Sequence, residues 1–356
     1  MNLYKSSIYI DDLTKSLESI IDYRNLKNSS VLVTGATGLI GSAIVDELIL
    51  LNNIKNLNIK IYACGRNKDK MRERFGTYFD MENFEFVHYD ACCNVKFDIS
   101  VDYIIHGASN ANPMLYMEQP VETMLSNFQG MYQLLLYAYK YHVKKILYIS
   151  SSEVYGKNDK NSAYMEDEYG FVDLLTPRSS YSCGKRATET LCSSFMYEYG
   201  VDVTIVRPGH VYGPTAQKID NRVSSMFAYN VLNGENIVMK SDGMQLRSYC
   251  YCIDCATAIL TVLLKGIPGE AYNISNSSSI ITIRDMAFIL AKAGNVQVVF
   301  EKPSIIEKAG YNPMSNSSLN SNKLEKLGWN GIFDASIGLE HTVKILQQIT
   351  SLGDIK

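Results

Sequence analysis

The chain contains 356 residues, 46% of them hydrophobic, which is enough for a globular core and for two lobes, since single cores stop growing at about 250–300 residues. Its 34 Lys and Arg against 37 Asp and Glu give a net charge of −3, which provides no electrostatic case for a nucleic acid or an anionic membrane as partner. The longest apolar run falls far short of the roughly 20 residues of a membrane span, and the N-terminus has no signal-peptide core, so we expect a cytoplasmic protein.

The first predicted element is an amphipathic helix over residues 11–24, in which apolar residues recur at helical spacing. A short buried strand at residues 31–34 comes next. The segment after it, Gly35-Ala-Thr-Gly-Leu-Ile-Gly41, opens a helix that continues to about Leu51. Strand, glycine turn and helix in this order predict a dinucleotide site, because the pyrophosphate of such a ligand lies against the N-terminus of the helix.

The three glycines of this turn have different expected roles. Gly35 permits the tight turn, Gly38 lets backbone N–H groups approach the pyrophosphate, and Gly41 lets the helix pack on the strand. The acidic residue that often binds the adenosine ribose is missing after the second strand, where Arg66 could instead contact a 2′-phosphate. We therefore predict NAD or NADP as a tightly held cofactor.

Strands and helices alternate through the rest of the first half. Strands are predicted near residues 59–63, 84–88, 103–106, 145–150 and 201–206, and helices from about residue 68 and over 120–142. Such repeated units predict an α/β fold with a Rossmann-type, doubly wound parallel sheet.

A turn-rich break at residues 207–214 precedes a smaller mixed C-terminal lobe. Its predicted elements are helices at 223–232, 253–264, 283–293 and 335–347, short strands near 237 and 248, and a polar loop at 315–322. We divide the chain into an N-terminal helical extension (1–28), a dinucleotide-binding domain (29–207) and a mainly substrate-binding lobe (208–356) whose chain can cross back to the sheet.

Eight cysteines raise the question of a metal or of disulfides. Cys250, Cys252 and Cys255 lie close together in sequence, but zinc sites normally need a second ligand pair, and none of the five histidines is near them. We predict no metal site and reduced, mostly buried thiols.

Tyr181 and Lys185 are four residues apart at the start of a long helical segment, so their side chains face the same way. A Lys cation beside a Tyr hydroxyl favours phenolate and lowers a pKa that starts near ~10. Such a pair can take a proton from a sugar hydroxyl. An isolated Tyr-x-x-x-Lys is more often a coincidence on a surface, so the assignment depends on the rest of the chain.

Three motifs occur in order: the glycine turn, Ser150-Ser-Ser-Glu-Val-Tyr-Gly156 and Tyr181-x-x-x-Lys185. Together they resemble the extended short-chain dehydrogenase/reductases of the epimerase/dehydratase family that modify nucleotide sugars, over roughly residues 30–345. The resemblance implies that Tyr181 is the base, that Lys185 binds the ribose and tunes Tyr181, and that Ser151 hydrogen-bonds the sugar hydroxyl. The predicted cofactor-binding residues are Gly35, Thr37, Gly38, Leu39, Ile40, Gly41, Arg66, Asp90, Ala91, Ala108, Asn127, Tyr181, Lys185 and Pro208.

In the mechanism that the resemblance implies, Tyr181 removes the C4 hydroxyl proton while hydride moves from C4 to the nicotinamide, giving a 4-keto sugar. The next step is loss of water across C5–C6, loss of a C6 carboxylate as CO2, or return of hydride to the other face. Extended backbone would turn Ser151 and Glu153 to the same side. A glutamate at position 153 is shared with dehydratases and decarboxylases of the family, whereas simple C4 epimerases usually lack it. Ser152 stands where dehydratases acting on dTDP-glucose carry an aspartate.

The local sequence resembles UDP-glucuronate decarboxylases most in five segments: 106–113, 119–124, 176–181, 184–191 and 221–225. Arg247 matches an arginine that the resemblance assigns to charged groups of the substrate, with a structural ion pair as the alternative. The predicted substrate-binding residues are Ser109, Ser152, Arg178, Arg222, Val223 and Arg247.

One segment departs from this pattern. Residues 310–318 contain no arginine where such decarboxylases carry an arginine-rich turn, so the nucleotide or sugar is expected to differ, as in a divergent bacterial-type paralogue that works on another sugar nucleotide.

The predicted partner is a nucleotide-diphosphate sugar. Decarboxylation of a UDP-glucuronate-type substrate is the first hypothesis, 4,6-dehydration the second and C4 epimerisation the third. A 4-keto-sugar reductase and a non-catalytic binding protein are the alternatives from other classes. Relatives pair through the helix with Tyr181 and the long helix before it, so a homodimer is expected. Four apolar residues of these helices can lie either in that interface or in the core: Leu134, Leu135, Leu191 and Phe195.

Overall fold

The computed structural model describes residues 2–111, 113–158, 162–303 and 314–351. The helices within these ranges are α1 (Ser7–Ser16), α2 (Leu39–Lys55), α3 (Lys68–Phe75), α4 (Pro113–Glu118), α5 (Pro120–Tyr141), α6 (Ser179–Tyr199), α7 (Val223–Leu232), α8 (Cys252–Lys265), α9 (Ile283–Gly294), α10 (Asn322–Glu325) and α11 (Ala335–Ser351). The strands are β1 (Ser30–Thr34), β2 (Lys60–Gly65), β3 (Phe84–His88), β4 (Tyr103–His106), β5 (Lys145–Ile149), β6 (Val203–Pro208), β7 (His210–Tyr212), β8 (Ile237–Met239), β9 (Leu246–Tyr251), β10 (Ala271–Ile274), β11 (Ile280–Thr282), β12 (Val298–Phe300) and β13 (Asn316–Ser317).

Seven strands form the main sheet, in the order β10-β6-β5-β4-β1-β2-β3. All neighbouring pairs are parallel and helices cover both faces, so the predicted α/β, Rossmann-type fold is confirmed. The strand order reverses at β1, which lies between β2 and β4. In such sheets the ligand binds in the crevice at the carboxyl ends of the strands, next to this reversal.

The sheet is apolar on both faces because successive side chains of a strand point in opposite directions. Leu32 and Ile104 pack against α5 and α6, whereas Val33 and Ile105 belong to the larger cluster that contains α2 and α8. Leu134, Leu135 and Phe195 are buried in the first of these clusters and Leu191 packs against it, so these four residues belong to the core.

The smaller mixed sheet is built around β9. Strand β11 pairs with β9 antiparallel, and β7 and β13 pair with it in parallel, while β8 and β12 form a separate pair. The predicted polar loop at residues 315–322 is therefore partly wrong, since it contains β13 and the start of α10. Among the residues that the structure describes, no helix is long and apolar enough to cross a membrane.

The N-terminal helix differs from its prediction over residues 11–24. Helix α1 begins after Ser6, whose hydroxyl accepts the Tyr9 N–H at 3.3 Å, and it ends at Ser16. The chain then continues as short 3-10 turns, and Asp22 adopts a left-handed conformation with φ of 60° that no α-helix accommodates. The Ser6 cap was the signal that the apolar spacing alone did not show.

This extension is tied to the main fold by buried polar groups. The carboxylate of Asp46 on α2 accepts hydrogen bonds from Tyr4, Tyr9 and Arg74. Asp12 contacts His341 Nδ1 at 2.9 Å and accepts the Tyr251 hydroxyl at 3.1 Å, which joins α1 to α11 and β9.

The predicted break at residues 207–214 is wrong for most of its length. Strand β6 continues through Arg207 to Pro208, and β7 begins after a single glycine. Pro208, which has no N–H to donate, is the last residue of β6. The seventh strand, β10, returns the chain to the edge of the main sheet beside β6, and its four residues were too few for the sequence to predict.

Candidate active site

The glycine turn between β1 and α2 leaves no room for side chains. Gly35 has φ of 71°, and a Cβ there would lie 3.0 Å from the backbone of Gly107. A Cβ on Gly41 would lie 2.8 Å from the carbonyl carbon of Gly35. Gly38 is the N-cap of α2, and no side chain caps the helix, so the first N–H groups of Leu39 and Ile40 are available to an anion.

Thr34 joins this turn to the end of β4. Its Oγ1 accepts the N–H groups of Gly107 at 3.1 Å and Ala108 at 3.2 Å, and it contacts His106 Nδ1 at 2.8 Å. The next residue, Ser109, has a buried hydroxyl with no partner among the described residues. Thr34 therefore holds the ends of β1 and β4 together at the strand reversal. The unpaired Ser109 hydroxyl lies next to this junction.

Loops from the C-terminal lobe reach the same turn. Thr215 Oγ1 donates to the Leu39 carbonyl at 2.7 Å, and Gln217 Nε2 donates to the Thr37 carbonyl at 3.1 Å. Pro208 is buried at the end of β6, opposite Ile274.

The residues predicted at the adenosine end come after β2 and β3. Arg66 is exposed and its charge acts on Cys92, whereas Asp90 accepts the Cys92 N–H at 2.9 Å. Ala91 is buried against Gly130 of α5, where an added Cβ would lie 3.0 Å from the Ala91 side chain. The close approach of α5 thus fixes the position of this loop.

Lys185 lies in a buried pocket between α6 and β5. Its Nζ donates to the Ile149 carbonyl at 2.8 Å and lies 4.8 Å from the Tyr148 ring and 5.7 Å from the Tyr181 ring. Asn127 is fully buried beside it, accepts the Tyr148 hydroxyl at 3.4 Å and donates to the Thr123 carbonyl at 2.7 Å. The predicted pair therefore faces the carboxyl end of β5.

The acidity of Tyr181 differs from its prediction. Burial raises the pKa of Tyr181 to about 12, with a smaller opposing effect from the hydrogen bond with Ser151. Burial also lowers the pKa of Lys185 to about 7, so this amine is only partly charged near neutral pH and its Nζ is directed to a carbonyl. The prediction that Lys185 lowers the pKa of Tyr181 is therefore wrong for the protein without a bound cofactor.

The segment with Ser151 and Glu153 also differs in backbone. Residues Ser152–Tyr155 form a 3-10 turn rather than extended chain, and the Ser151 hydroxyl caps it by accepting the Glu153 N–H at 3.2 Å. The turn nevertheless brings Ser151 and Glu153 to the Tyr181 side, since both affect its pKa.

Arg186 holds this turn against α6, which the sequence prediction missed. Its guanidinium donates to the carbonyls of Val154 at 2.6 Å, Tyr155 at 3.2 Å and Gly170 at 2.9 Å. The signal was its place directly after Lys185.

The Glu153 carboxylate is held by Arg178, with one guanidinium nitrogen 3.3 Å from each carboxylate oxygen. Both side chains are about one-third exposed or less, at 27% and 32%. Ser152, predicted at the substrate, begins the 3-10 turn between Ser151 and Glu153. The ion pair therefore fixes the position of the Glu153 carboxylate near α6, the helix that contains Tyr181.

Two further arginines reach the site from the C-terminal lobe, which forms the wall opposite Tyr181. Arg247 on β9 is buried and donates to the carbonyls of Leu246 at 2.9 Å and Met314 at 3.0 Å. Arg222 caps the start of α7 and its Nε contacts the Asp220 carboxylate at 2.9 and 3.0 Å, while Val223 is exposed. Residues 310–313 of the arginine-poor segment 310–318 lie outside the described residues, and the rest of the segment contains β13.

These walls are electrostatically coupled. The Tyr181 pKa responds to Glu153 and Arg222, and the Arg247 pKa, which burial lowers, responds to Glu153. Tyr116 of α4, which the sequence prediction missed, stacks on Tyr181 with ring centroids 4.7 Å apart and planes at 14°. The site therefore places a phenol, a carboxylate and three guanidinium groups around one cleft.

Comparison with known proteins agrees with this geometry. Residues 31–275 match the model of the NAD dependent epimerase/dehydratase family. The chain belongs to this family. Membership makes NAD its cofactor, which the turn at Gly35, Gly38 and Gly41 fits because it offers bare N–H groups and a cradle that a Cβ would fill.

Among curated relatives, UDP-glucuronic acid decarboxylase 6 of Arabidopsis thaliana is 31% identical over 308 residues, covering 85% of this chain and 84% of its own length. The dTDP-D-glucose 4,6-dehydratase of Mus musculus is 26% identical over 329 residues, covering 88% and 87%. Among solved structures, the UDP-glucose 4-epimerase of Thermotoga maritima with UDP-glucose has a TM-score of 0.73 at 25% identity, covering 90% of this chain and 99% of that one. The family is thus firm, while its members differ in reaction.

The described residues contain no group of three His, Cys, Asp or Glu side chains that could hold a metal ion. Cys250, Cys252 and Cys255 are buried free thiols. The strand predicted near residue 248 is β9, which ends at Tyr251, so it contains Cys250 but not Cys252, the first residue of α8.

Proposed function

We propose that this chain oxidises C4 of a nucleotide-diphosphate sugar, and that the resulting 4-keto acid loses its C6 carboxylate as CO2. The observation that carries the proposal is the convergence of Tyr181, Ser151 and the paired Glu153 at the carboxyl end of β5. These residues lie at the same edge of the sheet as the glycine turn, which supports a role for Tyr181 as a base next to bound NAD.

Tyr181 is the proposed base for the C4 hydroxyl. Ser151 hydrogen-bonds the Tyr181 hydroxyl and is placed to orient the sugar hydroxyl as well. NAD, when bound, supplies the hydride acceptor and adds positive charge that favours phenolate. Lys185 contributes a buried amine that can hold the ribose and pass a proton toward Tyr181.

The choice of decarboxylation rests on the substrate's own chemistry. Once C4 is a ketone, a C6 carboxylate is attached β to it, so its C–C bond can break with the electron pair delocalised onto the C4 oxygen. CO2 leaves, C5 takes a proton, and hydride returns to C4. The Glu153 carboxylate is paired with Arg178, an arrangement that suits a group that accepts a hydrogen bond or holds water near C5.

Dehydration is the second candidate, because several relatives are 4,6-dehydratases. It requires an acid that protonates the departing C6 hydroxyl. Ser152 occupies the position where the resemblance places that acid, and a serine hydroxyl is a poor proton donor. This favours decarboxylation over dehydration.

The product mass tests the reaction. Incubation with UDP-glucuronate should give a product lighter by one CO2, whereas UDP-glucose should not lose water. Unchanged mass of UDP-glucuronate without CO2 release would remove decarboxylation of that substrate. A panel of UDP-, dTDP-, GDP- and CDP-sugars would then show whether the protein uses a different nucleotide or catalyses a different reaction.

We also propose a homodimer formed through α5. Apolar side chains recur on one exposed face of this helix at helical spacing: Val121, Met124, Leu125, Phe128, Tyr132, Leu136 and Tyr139. A face of this length is expected to be covered, and a second copy supplies an identical face. Phe128→Glu should convert the dimer to a monomer in light scattering, while Ile54→Glu, at an exposed position near the end of α2, should not. An unchanged mass for the Phe128 variant, or a monomeric unmutated chain, would contradict this.

A further inference from the structure

The wall opposite Tyr181 holds a histidine that the proposed reaction does not use. His210 is in β7, directly paired with Tyr249 of β9, and their rings are 5.8 Å apart. Arg247 precedes Tyr249 by two residues on β9, so its side chain leaves the sheet on the same face. His210 and Arg247 are therefore neighbours at one surface of the cleft.

His210 lacks a hydrogen-bonding partner where one is expected. Its Nδ1 is buried and has no partner within the part of the chain that the structure describes. Native proteins pair nearly all such atoms, so an orphaned ring nitrogen beside two arginines indicates a position completed by a ligand. The side chain as a whole is only half-buried, which is consistent with a position on the wall of the cleft.

Charged and polar groups face His210 from the elements that pack against it. Arg247 of β9 and Arg222 at the start of α7 both act on it, and Tyr249 lies opposite. Of the carboxylates in contact with these arginines, Asp220 binds Arg222, and the charge of Glu153 acts on Arg247. Burial, and then these two cations, lower the pKa of His210 to about 3, so the imidazole is neutral near pH 7.

We infer that His210 is a further substrate-binding residue, which takes up a proton when the anionic part of the substrate binds between Arg222 and Arg247. The inference rests on the proposed function, since a nucleotide-diphosphate sugar brings that anion. A bound anion offsets the two guanidinium charges and offers an acceptor to a ring N–H, and both effects favour the charged imidazolium. The site would then hold its anion with three cationic groups instead of two.

Proton uptake on binding is directly measurable by titration calorimetry. The observed enthalpy is recorded in two buffers of different ionisation enthalpy, at about pH 6 and about pH 8, where an ordinary imidazole changes state. The protein carries Tyr181→Phe to stop turnover. The probes are UDP-glucuronate and the UDP, dTDP, GDP and CDP forms of glucose.

Binding at about pH 6 should take up close to one proton per site, and the uptake should fall at about pH 8. His210→Asn should abolish the uptake and weaken binding mainly at the lower pH, because asparagine keeps a polar side chain but cannot be protonated. His142→Asn is the matched control, since His142 lies outside the cleft and has a left-handed φ of 52° that asparagine tolerates. Thermal melting of both variants shows whether folding is kept.

The possible results separate the two proposals. Uptake with UDP-glucuronate and with a sugar that lacks a carboxylate places the diphosphate at His210, and uptake with UDP-glucuronate alone places the sugar carboxylate there. Binding without proton uptake, or uptake that His210→Asn leaves unchanged, overturns the inference while the proposed function stands. Failure of every nucleotide sugar to bind overturns the proposed function and the inference with it.

Discussion

The two ends of the cleft are built differently. The cofactor end is made of backbone, with Gly35 and Gly41 packed so closely that side chains are excluded and Gly38 at the start of α2. The sugar end is made of long charged side chains from separate elements, including Arg178, Arg222 and Arg247. A backbone site is specified by a few adjacent residues, whereas a side-chain site depends on tertiary structure to assemble it.

This difference distinguishes the features that serve every reaction of the family from those that we propose select one reaction. A turn that binds a pyrophosphate serves every reaction that starts with hydride removal. In the proposed mechanism, the charged groups around Glu153 determine the step after oxidation. Changes at the cofactor end should therefore abolish every step, and changes at the sugar end should divide the reaction into its steps.

The largest expected effect is loss of the base. Tyr181→Phe should lower turnover by about 10²–10⁴-fold, because the proton of the C4 hydroxyl then has no acceptor. Steady-state assay of product formation measures this, and the melting temperature should change little. Tyr116→Phe is the control, since it keeps the ring stacked on Tyr181 and loses only a hydroxyl on α4. A fully active Tyr181 variant would contradict the assignment.

At the cofactor end, Gly41→Ala should disrupt the close contact between α2 and the turn. Its Cβ would enter the Gly35 carbonyl group, and overpacking of this kind costs about 1–3 kcal/mol. Gly184→Ala is the matched helical control, because its Cβ would be 3.5 Å or more from its neighbours. Denaturant unfolding and the amount of nicotinamide that copurifies should both fall for Gly41→Ala alone. Equal behaviour of the two variants would show that the turn is not tightly packed.

At the sugar end, Glu153→Gln should separate the steps. C4 oxidation should persist, so the absorbance of reduced nicotinamide should rise and stay high, while release of CO2 stops. The amide also loses the ion pair with Arg178. Glu85→Gln, on the edge strand β3, is a control that should leave both steps unchanged. Normal CO2 release by the Glu153 variant would mean that this carboxylate only anchors Arg178.

The smallest effect concerns His106, the buried histidine at the cofactor end. Burial lowers the pKa of His106 to about 3, against about 6.5 when unfolded. The unfolded chain thus binds more protons between these values, so stability present above about pH 6.5 is lost as the pH falls, by up to about 1.4 kcal/mol per unit. Urea unfolding at several pH values measures this: the free energy of unfolding should fall less steeply with decreasing pH for His106→Asn than for the unmutated chain. Identical slopes would contradict a neutral buried His106.

The sequence predicted the strand, the glycine turn and the helix of the cofactor end, because tight turns need glycine at fixed positions and the flanking strand and helix are strongly apolar. It placed Tyr181 and Lys185 on one helix face for the same local reason. It could not show that Glu153 lies in a 3-10 turn or that Arg178 pairs with it, since that contact joins residues 25 positions apart. The sign of the Tyr181 pKa shift was missed because burial, a property of the whole fold, outweighs a neighbouring amine.

The central claim is that hydride leaves C4 and returns to it within one active site. The most direct test uses UDP-glucuronate with deuterium at C4 and follows the label by mass spectrometry and NMR. Our account predicts a slower reaction and a decarboxylated product that keeps its deuterium at C4. A product without deuterium at C4, or a C4 label that never reaches the nicotinamide, would contradict internal oxidation and reduction at that carbon.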